Sequence, residues 1–382
     1  MEKKTPRVNP LRIGVVTVPI GKSGIFPLSN LIEILSLNSE NLYLFTGNDG
    51  YSFFKSDPRF PVDGRVYPKK GQSPFSRILH YIWIQISTTL YILRRRNDVD
   101  IWIFFFGCYR LHLPIFFAKL FRKKVILLLA DSGGRHLWYG RGIVPALSKM
   151  MMDFPYVHAD HIVLYSPYLI TEFHLEPFRE KILFAHEHFI NLDRFMTNTS
   201  LQNRPPIIGF IGRISEEKGV NNFVRALCDI HAVCRDVQFF IGGDGPQIDE
   251  VKSLIIGENL GGLVELSGWI AHDDIPAYLN RIKLLVVPSY TEGLPNIVLE
   301  AMACGTPVLA TPVGGIPDII EDAKTGFLME NNSPECITKN VVRALGSPDL
   351  ERIADTALDF VQNNYSFDQT FKQWKSIIHN FR

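Results

Sequence analysis

The stretch SYTEGLPNIVLEAMACGTPVLATP, residues 289–312, ends one apolar run, turns on a glycine, opens a helix on a proline and enters a second apolar run. The flanking runs, KLLVVPS (283–289) and PVLATP (307–312), are nearly continuous in apolar residues, as strands covered on both faces must be. A strand, a helix and a strand in that order make a crossover between parallel neighbours. Pro295 suits the first helical turn, where its missing N–H would be unpaired anyway. The helix over 296–304 therefore presents its opening backbone N–H groups and its positive dipole end, an arrangement that suits a phosphate.

Outward from that stretch the same pattern repeats. Strands are predicted at 207–213, 237–243 and 264–269, and before them at 11–20, 41–47, 99–107, 124–131, 161–166 and 181–187, with helical segments between most of them. The polar segment TNTSLQNRPP (197–206), with its paired prolines, reads as a linker. The fold class is α/β: two doubly wound parallel-sheet domains in tandem, with ligands expected in a cleft at the carboxyl ends of both sheets. Past about residue 330 only helices are expected, with Ser333-Pro334 and Ser347-Pro348 marking helix starts.

Composition narrows the function classes. A chain of 382 residues exceeds what one core usually covers, and 46% hydrophobic with 21% charged residues excludes a disordered protein. Forty Lys and Arg against 39 Asp and Glu leave no global field for nucleic acid, so none is expected as a partner. Five cysteines include no C-x-x-C pair and no zinc spacing, which reads as reduced thiols in a cytoplasmic protein. The charged N-terminus is not a signal peptide, and the most apolar long run, 78–93, is interrupted by His80, Gln85, Ser87, Thr88 and Thr89.

Two glutamates frame the opening helix. Glu292 stands just before it and Glu300 lies eight residues on, among Val298, Leu299, Ala301 and Met302. A carboxylate in such company needs hydrogen-bond donors, and the hydroxyls of a ribose are natural ones. In IIGFIGRISEEKGV (207–220), Arg213 and Lys218 can converge on a diphosphate, Arg as a fork and Lys as a point charge. In IGGDGP (241–246) the glycines allow close backbone approach to a ligand.

The ordered set G-R-x4-K-G, G-x-G-P, S-x-x-E-G-x-P-N and E-x7-E, then A-x-x-x-G-x-P-V, resembles the retaining glycosyltransferases of family four, which have the GT-B architecture. The match is dense over about 207–330. It is looser before that, in HADHIVLYSPYL and in HFINLDRF, where Asp193 is in place but Asn191 and Leu192 stand for Asn-Gly.

The resemblance implies an acceptor-binding domain over 1–200 and a nucleotide-sugar domain over 201–362. A closing segment, 363–382, would cross back to the first domain. Arg213 and Lys218 would bind the donor diphosphate, Glu300 the ribose hydroxyls and Glu292 the donor-sugar hydroxyls. Gly293, Leu294, Pro295 and Asn296 would lie beside sugar and phosphate. Gly212, Gly243, Gly245 and Pro246 would flank the nucleotide, and the main chain at Trp269 and Ile270 would meet the base. Gly21 and Gly24, in PIGKSG, would let the chain approach the transferred sugar. No metal and no cofactor beyond the donor is implied. Where the family often has a histidine this chain has Asp131, with Arg135 and His136 as alternatives and a turn-capping role for Asp131 equally open.

The first domain joins aromatic and aliphatic residues to Arg94, Arg95, Arg96, Arg122, Lys123 and Lys124. These segments either lie against an anionic membrane or pack under the sheet with solvated ends. The expected acceptor is a glycan or a lipid-linked glycan, in cell-surface polysaccharide or glycolipid synthesis. The expected location is the cytoplasm or the inner face of the membrane. A catalytically silent nucleotide-sugar binder and a sugar-nucleotide epimerase are the rival readings. A dehydrogenase is disfavoured, because no G-x-G-x-x-G with its distant acidic residue follows the first strand.

Overall fold

The computed structural model describes residues 11–68, 73–129 and 143–381. The chain divides into two units. The first takes the residues up to His188 and again those from Thr370 onward, and the second takes Phe189–Gln369.

The first unit is built on seven strands: β1 (Arg12–Ile20), β2 (Asn41–Asn48), β3 (Val62–Arg65), β4 (Ile101–Phe105), β5 (Lys124–Leu128), β6 (His161–Leu164) and β7 (Ile182–Phe184). They lie in the order β3-β2-β1-β4-β5-β6-β7 and every pairing is parallel. The second unit has β8 (Ile207–Ile211), β9 (Gln238–Gly242), β10 (Val264–Gly268), β11 (Leu284–Val287), β12 (Val308–Ala310) and β13 (Phe327–Leu328), ordered β10-β9-β8-β11-β12-β13 and again parallel throughout. Both sheets are thus doubly wound. The central strands β4 and β8 are buried along their whole length, which is why their sequences are unbroken apolar runs. The edge strands β3 and β13 were not anticipated: both are short, and β3 alternates half-buried with exposed residues and carries no apolar run.

The strand order reverses between β1 and β4 in one sheet and between β8 and β11 in the other, the points where doubly wound sheets open a crevice at their carboxyl ends. In the second unit the helices Val220–Val233 and Pro334–Leu345 pack on each other, the latter also against β11, β12 and β13, and bury Phe223, Leu227, Ile230, Ile337 and Val341 in one core with β8 and β9.

The polar segment 197–206 is not a free linker. Arg204 is buried and donates to the carbonyls of Thr199, Leu279, Ile282 and Cys304 and to Thr306 Oγ1, at 2.6–3.1 Å. Asn280 Oδ1 accepts from the Asn198 N–H at 2.7 Å. These bonds stitch the segment into the second unit, so the division falls earlier, at His188 and Phe189. Burial without a carboxylate partner pulls the Arg204 pKa down to about 10.

Ser333 caps its helix as expected, accepting from the Cys336 N–H at 3.2 Å. Ser347 does not cap a helix: the next one starts at Leu350, with Asp349 at the cap position. The last helix, Phe367–His379, is anchored to the first unit by Trp374, whose indole N–H donates to the His186 carbonyl at 2.9 Å, and by Thr370, bonded to the His188 carbonyl at 3.2 Å.

Candidate functional site

Every strand of the second sheet runs the same way, so the loops that leave β8, β9, β10, β11 and β12 share one edge. The first three are laced together by backbone bonds. The Gly212 N–H donates to the Gly242 carbonyl at 3.0 Å, and the Gly243 N–H to the Gly268 carbonyl at 2.7 Å. Gly243 has φ +137, and a Cβ there would sit 1.8 Å from the Gly212 carbonyl oxygen, so only glycine fits. Gly245 and Pro246 continue this loop, in which Asp244 O accepts from the Ile214 N–H at 3.0 Å. Ile270 is half-buried beside it, while the Trp269 side chain is 74% exposed.

Lys218 ends a single 3-10 turn, Glu216–Lys218, after β8, and its ammonium lies 2.7 Å from both oxygens of Glu292 in the loop after β11. Ser289 Oγ donates to Glu292 Oε1 at 2.7 Å. Glu292 is 7% exposed, and these donors offset the cost of taking its charge from water. Gly219, at φ +67, lets the chain turn from Lys218 into the helix; a Cβ there would stand 2.0 Å from the Pro288 carbonyl oxygen. The Tyr290 N–H donates to the Glu217 carbonyl at 2.9 Å, tying the two loops at a second point.

Arg213 does not join this pair. It is 63% exposed and its nearest described carboxylate partner is Glu217, at 3.7 Å. Lys218 is thus paired with Glu292, while Arg213 stands at the rim of the same edge beside Glu217.

The helix Asn296–Ala303 begins one residue after Pro295, which occupies the cap position rather than the first turn. Its residues 298–303 are all buried, including Glu300 at 3% exposure. Glu300 does have a donor within the protein: His272 Nε2 lies 2.8 Å from Glu300 Oε1. His272 follows β10, and its ring packs on Phe195 at 5.5 Å. Sequence reasoning missed this residue, since one histidine in a polar turn carries no pattern. It also missed the contact of Gly315, whose N–H donates to the Gly293 carbonyl at 2.6 Å and braces residues 293–296 from the loop after β12.

In the first unit Gly21 is exposed at the end of β1, and the Gly24 N–H donates back to its carbonyl at 3.0 Å. Asp131, Arg135 and His136 lie outside the described residues. Among the described residues there is no group of three or more His, Cys, Asp or Glu placed to hold a metal ion. No described helix is long and apolar enough to cross a membrane.

Two parallel Rossmann-like units in tandem, the second with glycine loops and a helix opening at its order switch, have the architecture of the GT-B glycosyltransferases. Residues 193–365 match the family model described as glycosyl transferases group 1. The chain is 34% identical over 199 residues to the alpha-D-kanosaminyltransferase of Streptomyces kanamyceticus, covering 50% of this chain and 52% of that protein. It is 33% identical over 147 residues to the 2-deoxystreptamine glucosyltransferase of the same organism, 38% of each chain. The matched part thus spans about half the length of these relatives or less. Among solved structures, Anabaena HepE in complex with UDP superposes with a TM-score of 0.77 at 18% identity, over 97% of this chain and 100% of that one. The sucrose-phosphate synthase of Thermosynechococcus elongatus gives 0.73 at 18% identity, over 97% and 99%. These likenesses establish the fold along nearly the whole chain.

Proposed function

We propose that this protein is a retaining glycosyltransferase that moves a sugar from a nucleoside-diphosphate sugar to a glycan or lipid-linked acceptor, in cell-surface polysaccharide or glycolipid synthesis. One observation carries the reading: at the order switch of the second sheet, a cation paired to a buried glutamate, a helix opening and a second buried glutamate come from neighbouring loops. That set offers positive charge for a diphosphate and acceptors for sugar and ribose hydroxyls.

In this reading the bond from the anomeric carbon to the diphosphate breaks and its electron pair leaves with the phosphate. Lys218, Arg213 and the start of the helix at Asn296 meet that growing charge, which makes a divalent metal unnecessary. The acceptor oxygen bonds to the same face of the carbon and yields its proton to the departing phosphate. Glu292 positions Lys218 and accepts from donor-sugar hydroxyls, beside the backbone of Gly293, Leu294 and Pro295. Glu300 takes the ribose hydroxyls, exchanging its bond to His272 for them. Gly212, Gly243, Gly245 and Pro246 give the nucleotide close backbone contact, and Trp269 and Ile270 meet the base. Gly21 and Gly24 lie against the transferred sugar, and Asp131 stabilises positive charge at the anomeric carbon.

The solved HepE structures hold UDP and UDP-glucose, which makes a uridine donor the first to test. The outward apolar face of the helix Pro74–Arg94 supports work at the cytoplasmic face of a membrane. The test is turnover of uridine, guanosine and adenosine diphosphate sugars with a glycan acceptor, the product read by the proton coupling at its anomeric carbon. An α-donor should give an α-product. A β-product overturns retention, and nucleotide binding without any turnover favours a silent binder.

A further inference from the structure

The helix Pro74–Arg94 buries polar residues beside Ile84, Tyr91 and Ile92 and leaves a row of large apolar ones outside. Gln85, Ser87, Thr88 and Thr89 are buried, while Ile78, Ile82, Trp83 and Ile86 are 40–56% exposed. Gln85, Ser87 and Thr89 are hydrogen-bonded, Thr89 Oγ1 donating to the Gln85 carbonyl at 2.7 Å, while the buried Thr88 hydroxyl has no partner among the described residues. Ser87 Oγ lies 2.6 Å from the Tyr67 hydroxyl, and Gln85 donates to the Arg110 carbonyl and accepts from the Leu113 N–H at 3.1 Å.

The outward apolar face does not stand alone. With Leu113 and Phe116 of the helix His112–Leu120 and Met151 and Val157 of the helix Ile143–His158, Ile82 lines an apolar groove of about 760 Å³. Across Tyr81 and Gln85, which line both spaces, lies a second cavity of about 530 Å³ at the carboxyl ends of β1 and β2. It is lined by Pro19, Asn48, Tyr67 and His80 together with Arg77 and Arg110. Both arginines are exposed, and neither makes an ion pair with a described carboxylate. Each volume falls in the range of ligand pockets.

We infer that the two spaces form one bipartite acceptor site for a lipid phosphate, resting on the reading that the protein transfers a sugar. Arg77 and Arg110 take the phosphate, because guanidinium forks match phosphate oxygens. The first apolar units of the lipid cross Tyr81 and Gln85 into the groove, and the sugar carried on the phosphate sits at the end of β1. A free sugar phosphate would leave an exposed apolar groove unfilled, and a flat bilayer contact would have no use for a basic cavity at a strand edge.

The test is binding of farnesyl diphosphate, below its micelle concentration, to the full chain, followed by tryptophan fluorescence. Trp83 packs edge-on against Tyr67, which lines the second cavity, with ring centroids 5.5 Å apart. Occupancy of the second unit is held constant with saturating UDP. Farnesyl diphosphate should bind at least about tenfold more tightly than farnesol or inorganic diphosphate, a gap of about 1.4 kcal/mol. Arg110→Gln should remove the advantage over farnesol, and Phe116→Ser the advantage over inorganic diphosphate. Equal binding of the three ligands, or indifference to both substitutions in variants that keep the wild-type melting point, overturns the inference. So does binding to phosphatidylglycerol vesicles without binding to farnesyl diphosphate, which makes the face a membrane contact only. Loss of lipid binding with nucleotide binding intact overturns this site alone. Lipid binding with no nucleotide binding overturns the reading beneath it.

Discussion

Lys218 and Glu292 stand 74 positions apart in sequence, yet the Lys218 ammonium lies 2.7 Å from both oxygens of the Glu292 carboxylate. The two residues leave β8 and β11, the neighbours at which the second sheet reverses its order. A cation at that edge is thereby held in one place, and in the proposed transfer such preorganised charge would meet the departing phosphate.

Replacing the cation separates holding from catalysis. Lys218→Met should reduce transfer about 100- to 1000-fold, the usual effect of removing one preorganised donor. It should also destabilise the second unit, since Glu292 is left buried with Ser289 as its remaining donor among the described residues. Adding Glu292→Gln should restore stability and leave turnover low. Denaturant midpoints and steady-state rates on the wild type and the two variants check this, and recovery of turnover in the double variant would contradict it.

The turn that delivers Lys218 is equally testable. Gly219 sits at φ +67 with no room for a Cβ beside the Pro288 carbonyl. Gly219→Ala should cost on the order of 1–3 kcal/mol and displace Lys218 from Glu292. Urea unfolding reads the cost. An alanine variant of unchanged stability would mean that the turn relaxes freely.

The segment after residue 197 is structural in an unexpected way. Arg204→Met removes donors from four carbonyls and from Thr306 Oγ1, and should cost roughly 3 kcal/mol or more in unfolding free energy. Nucleotide binding at the sheet's far edge should survive in the fraction that folds. A cost below about 1 kcal/mol would show that the arginine is replaceable packing.

A pH effect arises in the first unit. Burial drives the His186 pKa down to about 3, so the folded protein keeps this imidazole neutral where the unfolded chain protonates it. Its contribution is present above about pH 6.5 and is lost as the pH falls toward 3, by up to about 1.4 kcal/mol per unit. Burial raises the neighbouring Glu187, whose contribution runs the other way, declining as the pH rises from about 4.5 toward its folded value. Comparing His186→Asn with the wild type isolates the histidine. The variant should lose less stability between pH 7 and 5, and parallel curves would contradict the assignment.

The second sheet was legible in the sequence because doubly covered strands leave unbroken apolar runs and their loops must turn on glycine. Arg213, Lys218, Glu292 and Glu300 were legible by residue type and spacing. Their pairing was not: that Lys218 faces Glu292, that His272 meets Glu300 and that Arg213 stays at the rim depend on how loops from separate strands meet. Arg204 was hidden inside a polar, proline-bearing segment, and all but one of its partners lie 75–102 positions away. The helix Pro74–Arg94 shows the same limit, since its sequence contains both faces and does not say which one turns inward. The edge strand β3 lacks the apolar run that marks its neighbours.

The central claim is that the second unit grips a nucleoside diphosphate through Glu300 and the helix opening beside Lys218. Thermal unfolding of the full chain with uridine, guanosine and adenosine diphosphates measures this directly, because a ligand that binds only the folded state at 100 times its Kd adds about 2.7 kcal/mol. One nucleotide should raise the melting temperature of the wild type and of His272→Ala, and should fail to raise that of Glu300→Ala. A melting temperature indifferent to all three nucleotides, or a full rise in Glu300→Ala, would contradict the account.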